Sequence, residues 1–290
     1  MLSLINFFDQ AAFAWGPDGH RVIARLAVEG LPPETPKFFT DATEQLMFLS
    51  YEPDEWRNRE EEKLSKTLRV DTDPDHHFFL ELFDPPSLPE DRYSFLTVLN
   101  QQSIDPREVG VLPYRAMELF QRLRVSFRQW RIARSSNDLA KTQFLEARII
   151  DDAGILAHYI GDASQPLHVS VNHNGWEMKA NPKGYTRDNT LHNRFEDAFV
   201  KAKVKESQVK PLVGECHIAT NGLSYIYAEI KRSSDQVESL YALENAKRFG
   251  PDDDNPKAQA FVDARLADAA TVLRDLWYTA YVTSAPNESK

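Results

Sequence analysis

With 290 residues, 42% of them hydrophobic, the chain has enough apolar material for one large domain or two. A formal net charge of −10 excludes the broad basic footprint of a sequence-reading DNA-binding module, though bound metals can give a nucleic-acid enzyme positive charge locally. Its one cysteine, Cys216, excludes an intramolecular disulfide and a Cys-based zinc ribbon, and no apolar run is long enough to span a membrane.

Proline outnumbers glycine, 17 to 11, and strand-like alternation is scarce. Runs of Leu, Ala, Arg, Glu and Gln recur instead, and neither internal repeats nor a linker interrupts them. These features predict a single all-α domain over residues 15–290. Residues 1–14 are short and apolar and end in Ala12-Phe13-Ala14, an A-x-A type cleavage signature directly before Trp15. They lack an n-region Lys or Arg, and Asp9 interrupts them, so they read as a signal-peptide remnant. That remnant implies a periplasmic or secreted protein.

Trp15-Gly16-Pro17-Asp18-Gly19-His20 leads into an amphipathic helix over 21–27, and its glycines permit a turn that folds Trp15 toward His20. Cleavage would free the α-amino group of Trp15, whose ordinary pKa of about 7.7–8.0 makes it an available metal ligand. Asp54 sits at a helix start, where a carboxylate also serves as an N-cap, and the charge run Arg57–Lys66 reads as the helix's solvated face. Of the adjacent His76 and His77, only one can turn into a shared site. Residues 84–106 read as a connecting region. A long amphipathic helix over 111–134 reads as core, with no chemistry suggested.

The densest chemistry lies in Leu139–Gly161 and just beyond. Apolar Ile149, Ile150, Ile155, Ala157 and Ile160 form a buried stripe, and His158 and Asp162, four apart, share one helical face. Pro166 closes the helix and His168 follows. Two imidazoles and a carboxylate on a core helix suit zinc, which accepts mixed nitrogen and oxygen ligands. After an irregular loop over 171–189 comes a helix with His192 and Glu196, again four apart. Further helices are predicted near 211–232, 236–248 and 256–283.

Taken in order, Trp15, His20, Asp54, His77, His158, Asp162, His168, His192 and Glu196 resemble the ligand set of the zinc-dependent single-strand nuclease and phospholipase C superfamily, closer to its nuclease branch. The resemblance rests on the W-G-x-x-G-H start at Trp15–His20 and on the H-x-x-x-D-x-x-x-x-x-H element at His158, Asp162 and His168. It rests also on Gln165-Pro166-Leu167-His168, on Leu191-His192-x-x-x-Glu196, and on Arg265-Leu266-Ala267 in the C-terminal helix. It runs from Trp15 to about residue 283.

The resemblance implies three zinc ions in a mostly helical fold. One takes Asp54, His77, His158 and Asp162, and a second takes His168, His192 and Glu196. A third takes the amino nitrogen and carbonyl oxygen of Trp15, with His20 and a bridging Asp162. It implies hydrolysis of single-stranded DNA and RNA, with possible action on terminal 3′-phosphates, by a hydroxide bridging two zincs. Arg57 would steady the charged phosphoryl group, and Phe78 would stack a base. Asp54 and Asp162 thus carry catalytic as well as ligand roles. Glu196 stands where fungal nucleases carry Asp, and Leu80 where they carry an acidic residue near the base. Two alternatives stand beside the nuclease: a phospholipase C, for which neither Glu55 nor Pro74 supplies a choline-caging aromatic, and a non-catalytic exported zinc-binding protein.

Overall fold

The structure, a computed structural model, describes residues 15–286; the leader expected over 1–14 lies outside the described residues. Among them there is no strand, as an all-α chain requires. The helices are α1 (Gly16–Glu29), α2 (Lys37–Asp41), α3 (Thr43–Leu49), α4 (Glu52–Glu55), α5 (Arg59–Leu64), α6 (Thr67–Thr72), α7 (Arg92–Gln101) and α8 (Pro106–Val109). There follow α9 (Leu112–Ser135), α10 (Leu139–Ala163), α11 (Leu191–Asn193), α12 (Val200–Lys203), α13 (Glu206–Val209), α14 (Gly222–Ser234), α15 (Val237–Ala246) and α16 (Pro256–Val282). Short 3₁₀ turns cover Asp73–His76, Pro166–Val169 and Lys210–Leu212, and Arg194–Phe199 is a π-helix.

The fold is built around α10, which packs against α9, α3, α16 and α1. Its outer half exposes Lys141, Phe144 and Arg148, whereas from Asp152 onward every residue is buried. That inner half is admitted to the core by two glycines. A Cβ at Gly154 would lie 2.3 Å from the Leu49 Cβ of α3, and one at Gly161 would lie 2.7 Å from His20 Nδ1 of α1. The α9–α10 hairpin turns through Asn137, whose positive φ of 55° Asn tolerates better than most residues. Asp138 then caps α10 by accepting from the Lys141 amide (3.0 Å).

Several elements differ from expectation. The helix expected to run on from Asp54 breaks at residues 56–58, because the Asn58 side chain accepts from the amides of Glu60 and Glu61 and starts a new helix. The connecting region over 84–106 contains α7, whose start is capped by Asp91. The helix expected from about 211 begins only at Gly222. Residues 213–221 instead run extended along α16. The amides of Gly214, His217 and Ala219 donate to Thr271 Oγ1, Asp275 Oδ1 and Thr279 Oγ1, spaced four apart on one face of α16. Side chains of a neighbouring helix supply the partners that a helix would have supplied internally.

Candidate metal centre

Five separate stretches deliver the ligating side chains. The Trp15–Gly19 turn starts α1 and places His20 on its buried face; the His20 amide donates to the Trp15 carbonyl (3.3 Å). The Trp15 indole is wholly buried and packs on Phe195, with ring centroids 5.4 Å apart. Asp54 comes from the short α4, His158 and Asp162 from α10, His168 from the following 3₁₀ turn. His192 lies on α11 and Glu196 in the π-helix that continues it, a rare element whose extra residue per turn is often found at functional sites.

These side chains converge. Three ligand groups, each with donor atoms mutually within 4.8 Å, are His20–His158–Asp162, Asp54–His76–His158 and His168–His192–Glu196. Asp162 stands between them: its Oδ1 lies 3.6 Å from His20 Nε2, and its Oδ2 lies 3.1 Å from His76 Nδ1, 3.4 Å from His158 Nε2 and 3.9 Å from His168 Nδ1. Asp54 Oδ1 is 3.8 Å from both His76 Nδ1 and His158 Nε2, and His192 Nε2 is 2.7 Å from Glu196 Oε2. All eight side chains are buried.

The surrounding backbone fixes which nitrogens are free to ligate. A carbonyl can only accept, so the contact of His158 Nδ1 with Ser50 O (3.0 Å) places the proton on Nδ1 and leaves Nε2 as a lone pair facing the centre. The same holds for His168, whose Nδ1 donates to the carbonyl of His76 (2.6 Å). Gln165 Nε2 donates to Glu196 Oε2 (3.1 Å), while its Oε1 accepts from the Leu167 amide, so the Gln-Pro turn orients the carboxylate.

Electrostatically the centre is unbalanced without a cation. Burial, only partly opposed by His158 and Arg57, raises Asp54 to about 7; burial, opposed by hydrogen bonding to His168, raises Glu196 to about 7 as well. Asp162 is pushed well above the usual carboxylate range by burial. Burial lowers the imidazoles, His158 and His168 to about 4 and His192 to about 3, with His20 and His76 also well below their ordinary value. A divalent cation selects neutral imidazoles and ionised carboxylates, so on binding it would displace the protons that burial leaves on Asp54, Asp162 and Glu196. The buried atoms without a hydrogen-bonding partner include both His20 nitrogens, both Asp54 oxygens, His76 Nε2, Asp162 Oδ1, His168 Nε2 and Glu196 Oε1. Unsatisfied buried polar atoms are costly, and those of Asp54, Asp162, His168 and Glu196, which belong to the three groups, fit a bound cation. These buried His, Asp and Glu groups can hold metal ions.

Two expectations need correction. His76, not His77, reaches the centre. The 3₁₀ turn ends at His76 and the backbone becomes extended at His77 (φ −143°, ψ 163°), so successive side chains point to opposite sides. His77 turns away and donates from Nε2 to the Arg107 carbonyl (3.1 Å). Phe78 is not available to a base: it is fully buried and packs against Phe95 and Tyr227. The half-buried aromatic of this stretch is Phe79, whose ring stacks between His77 (centroids 4.5 Å) and His173 (5.1 Å). His173 in turn lies 6.5 Å from His192, at the edge of the centre.

Arg57 is not a solvated surface cation either. Its side chain is only 8% exposed, with Nη1 3.3 Å from Asp54 Oδ1 and Nε donating to Asp73 Oδ1 (3.1 Å); Arg69 grips the other Asp73 oxygen. Asp73, Gln165, Phe79 and His173 are the neighbours that spacing alone does not single out, because their roles depend on contacts between distant stretches. Compared with known proteins, the chain matches no family model and no curated protein.

Proposed function

We propose that this chain is an exported zinc-dependent phosphoester hydrolase that cleaves single-stranded DNA and RNA, with three zinc ions gathered around Asp162. The observation that carries the reading is the placing of Asp162: its Oδ1 faces His20 and its Oδ2 faces His76 and His158, members of two of the three groups. Such placing supports adjacent ions rather than scattered structural ones. A donor set of nitrogen and oxygen with open, neutral imidazoles suits zinc.

When bound, zinc supplies a Lewis acid for the phosphoryl oxygens and an acidified water. The chain's own residues do the rest. Asp54, His76, His158 and Asp162 fix one ion, and His168, His192 and Glu196 fix another. His20 and Asp162 fix the third, with the nitrogen and oxygen of Trp15 once residues 1–14 are removed. Arg57, held between Asp54 and Asp73, presents a guanidinium to a phosphoryl group, where two N–H donors can bind two oxygens.

The test is metal analysis of protein beginning at Trp15, with parallel assays on single-stranded DNA, RNA and phosphocholine lipid. Three zincs per chain and cleavage of both nucleic acids are expected, and protein retaining residues 1–14 should bind fewer. Fully loaded protein that leaves both nucleic acids intact rejects the nuclease. Release of phosphocholine would then select a phospholipase C, and inertness toward all three substrates a zinc-binding protein.

A further inference from the structure

The acidity of the chain is unevenly spread. Residues 119–150 contain seven cations, Arg122, Arg124, Arg128, Arg131, Arg134, Lys141 and Arg148, against two acids, Asp138 and Glu146, so this hairpin is strongly basic within a chain of net charge −10. Most basic residues packed near acids lose their reach through pairing, but here few are paired. Arg122 meets Asp152 (3.0 Å), whereas Arg124, Arg128, Arg134, Lys141 and Arg148 have no carboxylate within 4.0 Å among the described residues. Of these, Arg128, Arg134, Lys141 and Arg148 are exposed.

Two of these cations, Arg122 and Arg148, line a groove. Contacts from Trp130 Nε1 to Glu146 Oε1 (3.0 Å) and from Arg122 to Asp152 set the antiparallel register, bringing residues 122–134 of α9 opposite 141–152 of α10. Between the helices lies a trough of about 330 Å³ lined by Glu118, Gln121, Arg122, Val125, Ser126, Gln129 and Arg148. At helical spacing Arg128 and Ile132 continue the exposed strip of α9, and Lys141 and Phe144 continue that of α10. Phe144 is 75% exposed. A trough with two arginines, one carboxylate and two glutamine amides, continued along the exposed strips by Arg128, Lys141 and the bare ring of Phe144, offers a flexible polyanion charge for its phosphates and a π-face for a base.

We propose that the α9–α10 trough is a binding track for a single nucleic-acid strand, separate from the metal centre and engaging the stretch of substrate beyond the scissile phosphate. Arg148 lies ten residues before His158 on the same helix, about 15 Å along its axis, so one strand can occupy both places. The proposal names the occupant of a second surface and rests on the nuclease reading only for its purpose.

The experiment measures binding of a phosphorothioate oligo(dT), which keeps its negative charges and resists hydrolysis, to intact metal-loaded protein over a range of salt. The variant Arg128→Gln/Lys141→Gln/Arg148→Gln spares the Arg122–Asp152 pair, and unchanged circular dichroism and Tm certify its fold. Binding at low salt should weaken about tenfold or more, and the log–log salt slope should fall by about 2, roughly 0.7 for each cation removed. Phe144→Ala should weaken binding without altering the slope. Hydrolysis of a small single phosphodiester should be unchanged in both.

Unchanged affinity and slope in the triple variant would overturn the track, as would an equal loss when Lys201, Lys203 and Lys205 are neutralised instead. Binding of the wild type to phosphatidylserine vesicles that oligo(dT) does not displace would also overturn it, in favour of a membrane surface. Failure of the two readings is distinguishable. A strand bound through the trough but never cleaved rejects the nuclease alone, and a strand cleaved normally by a triple variant with unchanged binding rejects the track alone.

Discussion

The two ends of α10 present opposite problems of charge. At the inner end, His158 and Asp162 are wholly buried among atoms that accept or ligate and have no partner. At the outer end, Lys141 and Arg148 are exposed cations with no carboxylate within 4.0 Å among the described residues, Arg148 acting on the Asp152 carboxylate only from beyond that distance. The same helical periodicity produces both, because the surroundings change: from Asp152 onward α10 is buried on every face, whereas its outer half keeps one face exposed. Burial makes an unpaired polar atom a strong indication of a missing ion, since its desolvation is already incurred. Exposure makes an unpaired cation a long-range attractor, effective only while salt leaves it unscreened.

The largest effect that could break this contrast comes from Asp162→Asn. An amide keeps the volume but removes the charge that stands between His20, His76 and His168. We expect the metal content to fall by more than one ion per chain and hydrolysis to be nearly abolished. Elemental analysis that returned the wild-type metal content would show that Asp162 is a buried acid and not a shared ligand. His76→Ala should likewise lose metal while His77→Ala should not, which separates two residues that adjoin in sequence but face opposite ways.

Next in size is Arg57→Ala. The guanidinium touches Asp54 and Asp73 and belongs to no ligand group, so its loss should leave the metal content intact. The rate on a phosphodiester should fall about 10²–10³-fold, the range for removing one donor to a developing oxyanion. A comparable fall in bound metal would instead make Arg57 a structural counterion for Asp54.

Chelation sharpens the comparison through stability. Stripping all three ions should lower Tm by roughly 15–30 °C, since each site at a hundredfold excess over Kd gives about 2.7 kcal/mol, about 8 kcal/mol for three, and a chain of this size shifts about 2–4 °C per kcal/mol. The gap should widen with pH. In the metal-free fold Asp54 and Glu196 keep their protons up to about 7, while in the unfolded chain they release them near 4. The native state therefore holds more protons over that range, and metal-free stability falls as pH rises through it. Below about 6.5 the lowered imidazoles act the other way, and protons compete directly with the metal. Calorimetry at pH 6 and pH 8 showing an equal or smaller gap at the higher pH would contradict a centre filled by cations.

Much of this was legible in the chain. The His158/Asp162 and His192/Glu196 pairs are local, fixed by a four-residue spacing, and α9 and α10 follow from apolar periodicity. What escaped the sequence depends on contacts between distant segments. The choice of His76 turns on where a 3₁₀ turn becomes extended, which the bond from the Phe78 amide to the His168 carbonyl (3.0 Å) helps to fix. Phe78 and Phe79 are indistinguishable by composition; only the packing of Phe95 and Tyr227 against one of them decides which is core. The helix over 111–134 reads as core from its sequence, and that Arg124, Arg128 and Arg134 have no carboxylate within 4.0 Å among the described residues emerges only once α10 lies beside it. Residues 213–221 left the expected helix because α16 offers their amides a spaced row of acceptors.

The smallest expected effect isolates one ligand group. Gly161 has no direct chemistry, but a methyl there would lie 2.7 Å from His20 Nδ1 and 2.8 Å from its Cε1, closer than real Cβ contacts allow. His20 is buried and stacks on His158 with ring centroids 4.3 Å apart, so it cannot yield toward α10 and must move outward. Gly161→Ala should therefore weaken the ion held by His20 while leaving the group at His168, His192 and Glu196 filled. Helix propensity pulls the other way, since Ala is favoured over Gly by up to about 1 kcal/mol in a helix interior, so Tm should change little when wild type and variant are compared without metal. Metal titration should lose one ion from the set with the fold intact. If all the ions bind as before, the approach of α1 to α10 is packing alone and His20 is not a ligand. If all are lost together, the three groups form one cooperative cluster, and the inner end of α10 fills or empties as a unit.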